Sequence, residues 1–395
     1  MIIASVLTPA LAMLLAVAPD PAGPWRAVLD LAGGPLRFTL EVSHSAVWSA
    51  QICNGRKCEA AFPVQLTGDS VTFDIADFAA TITARLHGDS LTGTYRNVGS
   101  RGPRAIPFRA ARGRWEREQA PAALTGRWDA TLTADGRASP RIFLFDNGAA
   151  GFRGAVVSNS GDYGEFSGAV LGDSIALFRF DGSFVYMLTG QLDGDTLRGT
   201  FHAGLRTQTP FVAVRSRGAP HLSEPTAMTG ADTTAPFRFA FRDVEGRLVT
   251  SNDARFRGKA VLIDVFGTWC TTCHEAAPIL SRFYREYHDR GLEIVGFAYE
   301  VTGDTAVDGA LVRRYRDKIG VPFPLLLAGV STVASASETL PQLSGFTSFP
   351  TTIFLGRDGR VRRVHAGFYG PATGAMHTRQ VESFRAVIEQ LLAEP

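Results

Sequence analysis

Lysine is nearly missing from this chain of 395 residues. Only Lys57, Lys259 and Lys318 stand among its 40 basic residues, the rest being arginine. That bias matches a GC-rich genome's codon usage and carries no binding function. A strong charge of either sign is also absent: the formal net charge is +2 and is spread along the sequence. It gives no case for nucleic acid or an anionic membrane surface as the main partner. Cysteine is scarce, with four residues in two close pairs, Cys53 with Cys58 and Cys270 with Cys273. Four thiols that can all pair suit an oxidising compartment. Beyond residue 18 no apolar run is long enough to span a bilayer. What is present, 45% hydrophobic and 20% charged residues, describes a soluble globular protein. Its length exceeds one compact core and fits two or three domains.

The first 18 residues, "MIIASVLTPALAMLLAVA", form an apolar run ending in Ala16-Val17-Ala18, the small-x-small pattern read by signal peptidase. Export to the periplasm or cell envelope is the favoured reading. No Lys or Arg precedes the run, and Pro19 would open the mature chain, so an uncleaved N-terminal anchor stays open beside a cleaved signal. A buried helix is disfavoured, because Pro9 interrupts the run and Pro19, Pro21 and Pro24 follow at once.

Residues 25–112 and 128–215 form an internal repeat. "GPWRAVLDLAGG" from Gly23 matches "GRWDATLTADGR" from Gly126, and "LTGDSVTFDI" from Leu66 matches "VLGDSIALFRF" from Val170. "LHGDSLTGTY" from Leu86 matches "LDGDTLRGTF" from Leu192, and "PFRAAR" from Pro107 matches "PFVAVR" from Pro210. Four matches in one order make chance an unlikely source. Each unit alternates apolar and polar residues in short runs broken by Gly-Asp turns, the pattern of half-buried antiparallel strands. The expected fold is two small all-β barrels or sandwiches, or two halves of one, over residues 23–117 and 121–217. The aromatic residues Trp25, Trp48, Trp128, Phe152 and Phe166 read as core.

A polar, proline-bearing linker occupies residues 218–235. Residues 236–395 then change period. "AVLIDVF" from Ala260 reads as a buried strand. Ile279, Leu280, Phe283, Tyr284 and Tyr287 recur at helical spacing up to Gly291, and "LEIVGFAY" from Leu292 is the next strand. "TTIFL" from Thr351, "GRVRRVHAG" from Gly359 and an amphipathic C-terminal helix complete an α/β domain.

The segment Trp269-Cys270-Thr271-Thr272-Cys273-His274 carries two readings. Cysteines three apart at a helix N-terminus suit disulfide exchange. The unpaired helical N–H groups favour the Cys270 thiolate, and Cys273 is placed to resolve the mixed disulfide. Cys-x-x-Cys-His is also the c-type haem attachment pattern, with His274 as axial ligand. Against haem, the only methionine after His274 is Met376, and the segment sits between a buried strand and a helix. His274 is expected on the helix surface, where its charge would add a little to thiolate stabilisation, and Glu275 as an exposed charge on the first turn. A peroxidase reading fails for want of the Pro-x-x-x-Thr-x-x-Cys pattern.

With "FRFAFRDVEGRLVT", "GKAVLIDVFGTWCTTC", Pro278 and "GFTSFPTTIFLGRDGRV" in this order, residues 233–395 resemble the thioredoxin superfamily. They are closer still to its exported TlpA/ResA-like thiol-disulfide oxidoreductases. The resemblance implies a thioredoxin-like fold, no metal or organic cofactor, and an exchange dithiol made of the nucleophile Cys270 and the resolving Cys273. It implies Asp264 as proton acceptor, where many TlpA-type relatives have asparagine, and burial would raise its pKa. It implies a cis bond before Pro350, a Phe349 backbone that pairs with an extended substrate, a shielding Trp269, and Glu300 in the substrate cavity. Thr271-Thr272 departs from the family, in which a proline often precedes the second cysteine, and leaves the direction of electron flow open.

Cys53 and Cys58 flank Asn54-Gly55, a hairpin signal, and read as a structural disulfide, with a redox relay to Cys270 as the sharper alternative. Two functions stand at this point. One is a reductase of protein disulfides, supplied by an upstream thiol donor, membrane-bound or not, whose repeats select the client. The other is an envelope-binding or structural module with an accessory redox domain.

Overall fold

The structure, a computed structural model, describes residues 20–395 apart from 56, 100–101, 150, 205–206 and 219–220. The apolar leader of residues 1–18 lies outside the described residues.

The alternating segments of the first repeat form eight antiparallel strands: Gly23–Leu31, Gly34–His44, Trp48–Asn54, Phe62–Thr67, Ser70–Ile75, Ala80–His87, Ser90–Gly99 and Gly102–Arg112. Each pairs with the next, and Trp25 opposite Arg112 joins first to last, closing a barrel. A two-residue arm, Lys57–Cys58, pairs back onto the third strand. The second repeat forms a closed barrel of eight strands from Gly126–Ala134 to Thr207–Arg215, sealed by Trp128 opposite Arg215. Period-2 alternation is common to barrels and sandwiches; closure decides for two barrels, and it removes the exposed edges that an open sheet would leave.

The repeat extends to atomic detail. Trp25 and Trp128 are fully buried, and each indole N–H donates to the carbonyl four residues earlier, Pro21 at 2.8 Å and Leu124 at 2.9 Å. The guanidinium of Arg112 lies 4.5 Å from the first ring and that of Arg215 lies 4.7 Å from the second, a cation–π contact from the closing strand of each barrel. Gly93 and Gly199 occupy matched positions where a Cβ would collide with the backbone of the adjacent strand, so the sequence spends a glycine there. Of the aromatic residues expected in the core, Trp25, Trp128, Phe152 and Phe166 are buried and Trp48 is half-buried.

The barrels share apolar contacts. Phe178, Phe180, Val185 and Met187 of the second join the buried cluster of the first, with the Phe180 ring 4.8 Å from Phe38 and 5.2 Å from Tyr95. Asn54, at the tip of the Cys53–Cys58 hairpin, is fully buried. Its side-chain amide donates to the Phe180 carbonyl at 2.7 Å and accepts from the Phe180 N–H at 2.9 Å, continuing the strand ladder from one barrel to the other.

The C-terminal region is a seven-stranded sheet with helices on both faces. The strand order is Leu248–Thr250, Ala240–Asp243, Leu325–Val330, Leu292–Glu300, Ala260–Phe266, Thr351–Leu355 and Val361–Ala366. The three strands led by Ala260, Leu292 and Leu325 run parallel; after the Phe349–Pro350 loop, Thr351–Leu355 runs antiparallel to them and Val361–Ala366 pairs antiparallel with Thr351–Leu355. The helices are α1 (Thr271–Tyr287), α2 (Thr305–Ile319), α3 (Val333–Thr339) and α4 (Ala375–Ala393). Every residue of Ala260–Phe266 and of Leu292–Glu300 is buried, as continuous apolar runs in a parallel sheet require. α1 continues into a 3-10 turn and ends at Gly291, whose φ of 103° is left-handed. The last part of the linker is tied to this domain: Gly230–Ala231 pairs with Leu343–Ser344.

Candidate active site

The central strand Ala260–Phe266 delivers the chain to the start of α1, and Cys270 is the N-cap residue there. Its sulfur accepts the Cys273 N–H at 3.2 Å, satisfying one of the unpaired N–H groups that open a helix. The two cysteines form a disulfide; Cys270 is 5% exposed and Cys273 is fully buried. Cys270 is the less buried of the pair, and the helix N-terminus behind it favours its anion, the species that exchange chemistry needs.

Asp264 lies on the same strand, 2% exposed, and Oδ1 has no hydrogen-bond partner among the described residues. Burial pushes its pKa from 3.8 up to about 7. It faces Tyr315 of α2 closely enough to raise that phenol further, and the Tyr315 hydroxyl donates to the Cys273 carbonyl at 3.0 Å. Tyr315 thus touches the Cys273 backbone and feels the Asp264 charge.

Trp269 donates its indole N–H to the Tyr299 carbonyl at 2.8 Å and sets its ring edge-on to Phe349 at 5.6 Å. The Phe349 ring also lies 5.4 Å from Tyr299 and 5.1 Å from Phe346. The Phe349–Pro350 bond is cis, and the Pro350 carbonyl accepts from Gly367 N–H at 2.7 Å. Glu300, at the end of its strand, is not a solvated strand-end charge. It is 1% exposed and accepts from the Thr268 N–H at 2.8 Å and the Thr268 hydroxyl at 2.6 Å, and burial pushes it up to about 7. A cleft of about 590 Å³ runs between the barrels and this side of the site, bordered by Phe78, Arg104, Phe184, Tyr186, Trp269 and Glu300.

Two expectations are overturned. His274 is not on an open helix surface. It is half-buried, 5.3 Å from the Phe78 ring of the first barrel and 4.8 Å from Tyr315, with Nε2 bonded to the Thr268 carbonyl at 2.7 Å. Burial lowers its pKa, so the ring is neutral and adds no charge to Cys270. Glu275 is not an exposed charge: its side chain is 7% exposed and pairs with Lys57. Both corrections have one cause, the docking of the barrels on the first turn of α1, which no local pattern announces.

Sequence reasoning missed the groups that the barrels bring here. Thr271 donates its hydroxyl to the Asp181 carboxylate, and Thr272 donates to the Asp162 carbonyl at 3.1 Å. Asp181 lies 3.6 Å from the fully buried Arg179, which also reaches Glu59 at 3.2 Å. The Asp162 carboxylate accepts from Gly370 N–H at 2.7 Å, and burial and then the Glu275 charge raise it to about 7. Cys53 and Cys58 form their disulfide across the short arm, placing Lys57 beside α1. Among the described residues no cluster of three or more His, Cys, Asp or Glu is placed to hold a metal ion.

Similarity to known proteins falls in the C-terminal region. Residues 231–375 match the Redoxin family. The thiol-disulfide oxidoreductase ResA of Halalkalibacterium halodurans is 28% identical over 151 residues, 38% of this chain and 73% of that protein. ResA of Geobacillus thermodenitrificans is 28% identical over 145 residues, 37% of this chain and 74% of that protein. A solved thiol:disulfide interchange protein of the thioredoxin family from Chlorobium tepidum TLS aligns with 42% of this chain and 99% of its own. Its identity is 22% and its TM-score 0.32. The C-terminal domain of this chain is a Redoxin-family domain of thioredoxin-like fold, the domain shared with its ResA-type thiol-disulfide oxidoreductase relatives.

Proposed function

We propose that this thiol-disulfide oxidoreductase reduces protein disulfides in the cell envelope. The observation that carries the reading is the Cys270–Cys273 pair at the N-terminus of α1, with the buried Asp264 carboxyl behind it. In the reduced enzyme the Cys270 thiolate attacks one sulfur of a client disulfide, and the client's other sulfur leaves as a thiolate. Cys273 then gives its proton to Asp264 and attacks the Cys270 sulfur. The second client thiolate departs, the Cys270–Cys273 disulfide forms, and two electrons have passed to the client. A dithiol donor restores the reduced state. Phe349 and Pro350 hold the client backbone beside Trp269, and Glu300 borders the cleft that admits it. The Cys53–Cys58 bond is a staple outside this cycle.

The test is trapping. Cys273→Ala lets the first attack proceed and blocks its resolution, so a mixed disulfide at Cys270 accumulates in cells and mass spectrometry identifies the client. No trapped protein above the level of a Cys270→Ala/Cys273→Ala control would sink the reading.

A further inference from the structure

Every residue between the cysteines and just after them touches a barrel. Thr271 binds Asp181 and Thr272 binds the Asp162 carbonyl, both of the second barrel. His274 lies against Phe78 and Glu275 pairs with Lys57, both of the first. The second barrel also reaches the loop after the last strand, where Gly161 bridges Phe368 and Asp162 accepts from Gly370. A cavity of about 210 Å³ remains between these parts, bordered by Lys57, Asp181, Thr271 and Glu275 among others.

We propose that the two barrels complete the redox site: Asp181 is a positioning residue that holds the dipeptide between the cysteines, and the charges around it set the ionisation of Cys270. The inference rests on Cys270 being the nucleophile. Three carboxylates, Asp181, Glu275 and Glu59, and a fourth, Asp162, that burial holds partly protonated near pH 7, face this turn, against two cations, Arg179 and Lys57. Lys318 and Asp77, which border the same cavity, pair with each other. From the redox domain itself, His274 is neutral, Tyr315 is protonated, and Asp264 and Glu300 titrate near neutrality. The excess of negative charge opposes the helix N-terminus, which favours the thiolate. A thiolate that is harder to form is a poorer leaving group from a disulfide. The docked barrels therefore bias the Cys270–Cys273 couple toward donating electrons, a bias that Thr271-Thr272 by itself leaves open.

Two substitutions of opposite sign test this in the full-length reduced protein, with alkylation of the Cys270 peptide followed by mass spectrometry across pH. Asp181→Asn removes a negative charge and should lower the pH midpoint by about half to one unit. It should also shift the equilibrium with dithiothreitol about three- to tenfold toward the disulfide-consuming, oxidising side. Lys57→Met removes a positive charge and should move both quantities the other way. A purely structural role for the interface would move the two variants in the same direction, and that result, or two unchanged profiles, overturns the proposal. If Asp181→Asn does not fold, Glu275→Gln takes its place with the same expected sign. Whether Cys270→Ala abolishes disulfide exchange is read separately, so the catalytic assignment and the charge inference fail independently.

Discussion

Asp264 is the residue at which burial and chemistry meet. Its carboxyl ionises near pH 3.8 when exposed and near 7 in the fold, because no partner compensates its removal from water. Between those values the native state binds more protons than the unfolded chain, so this group makes stability fall as pH rises from about 4 to 7. The full loss is up to about 4 kcal/mol above pH 7. Oxidised Asp264→Asn protein is accordingly expected to be more stable than wild type at pH 8, with the two converging at pH 4, as measured by urea unfolding. Glu300 titrates over the same range in both proteins, so the difference between them isolates Asp264. A difference independent of pH would contradict the burial argument. If Asp264 takes the Cys273 proton, the same variant also resolves a mixed disulfide about a hundredfold more slowly at pH 7 in single turnover.

Among the elements, the Cys53–Cys58 hairpin reaches both the second barrel, through Asn54, and α1, through Lys57. Its disulfide closes a loop of a few residues and confines the unfolded chain by about 2 kcal/mol. Cys53→Ala/Cys58→Ala protein should melt earlier yet retain turnover of client disulfide, changed by no more than Lys57→Met changes it. A large fall in turnover at unchanged melting would instead identify a relay. Asn54, at the tip, makes both of its bonds to Phe180 of the second barrel. Asn54→Ala leaves buried backbone groups unpaired and should cost about 1–3 kcal/mol in urea unfolding. A change within 0.3 kcal/mol, of order the scatter at surface sites, would show that the ladder between barrels contributes little.

At the scale of the whole molecule the barrels share apolar core, with Phe178 and Phe180 of the second packed among Phe38 and Tyr95 of the first. Removing such a ring costs about 3–5 kcal/mol. Phe180→Ala should therefore lower the unfolding temperature of both barrels together, followed by hydrogen exchange of amides in Ala80–His87 and Thr196–Ala203. Loss of protection confined to one barrel would mean that the two unfold independently.

The chain's local patterns carried a good deal. The repeat, the alternating strands and the Gly-Asp turns were legible because strand period and turn chemistry are properties of a few adjacent residues. The dithiol was legible for the same reason: strand, Cys270, Cys273 and helix lie within one short segment. The choice between barrel and sandwich was not, since both use the same alternation and differ only in whether Trp25 meets Arg112 and Trp128 meets Arg215. Nor were the burial of Glu275, the neutrality of His274 or the presence of Asp181 beside Thr271. Those contacts join residues 90 to 218 positions apart, with no periodicity connecting them. The sequence by itself determined what chemistry the Cys270–Cys273 segment can perform, because thiol spacing and helix polarity are local. Only the tertiary structure decided the electrostatic setting of that chemistry, because the field at Cys270 is set by charges that three sequence-distant parts of the chain bring to one interface.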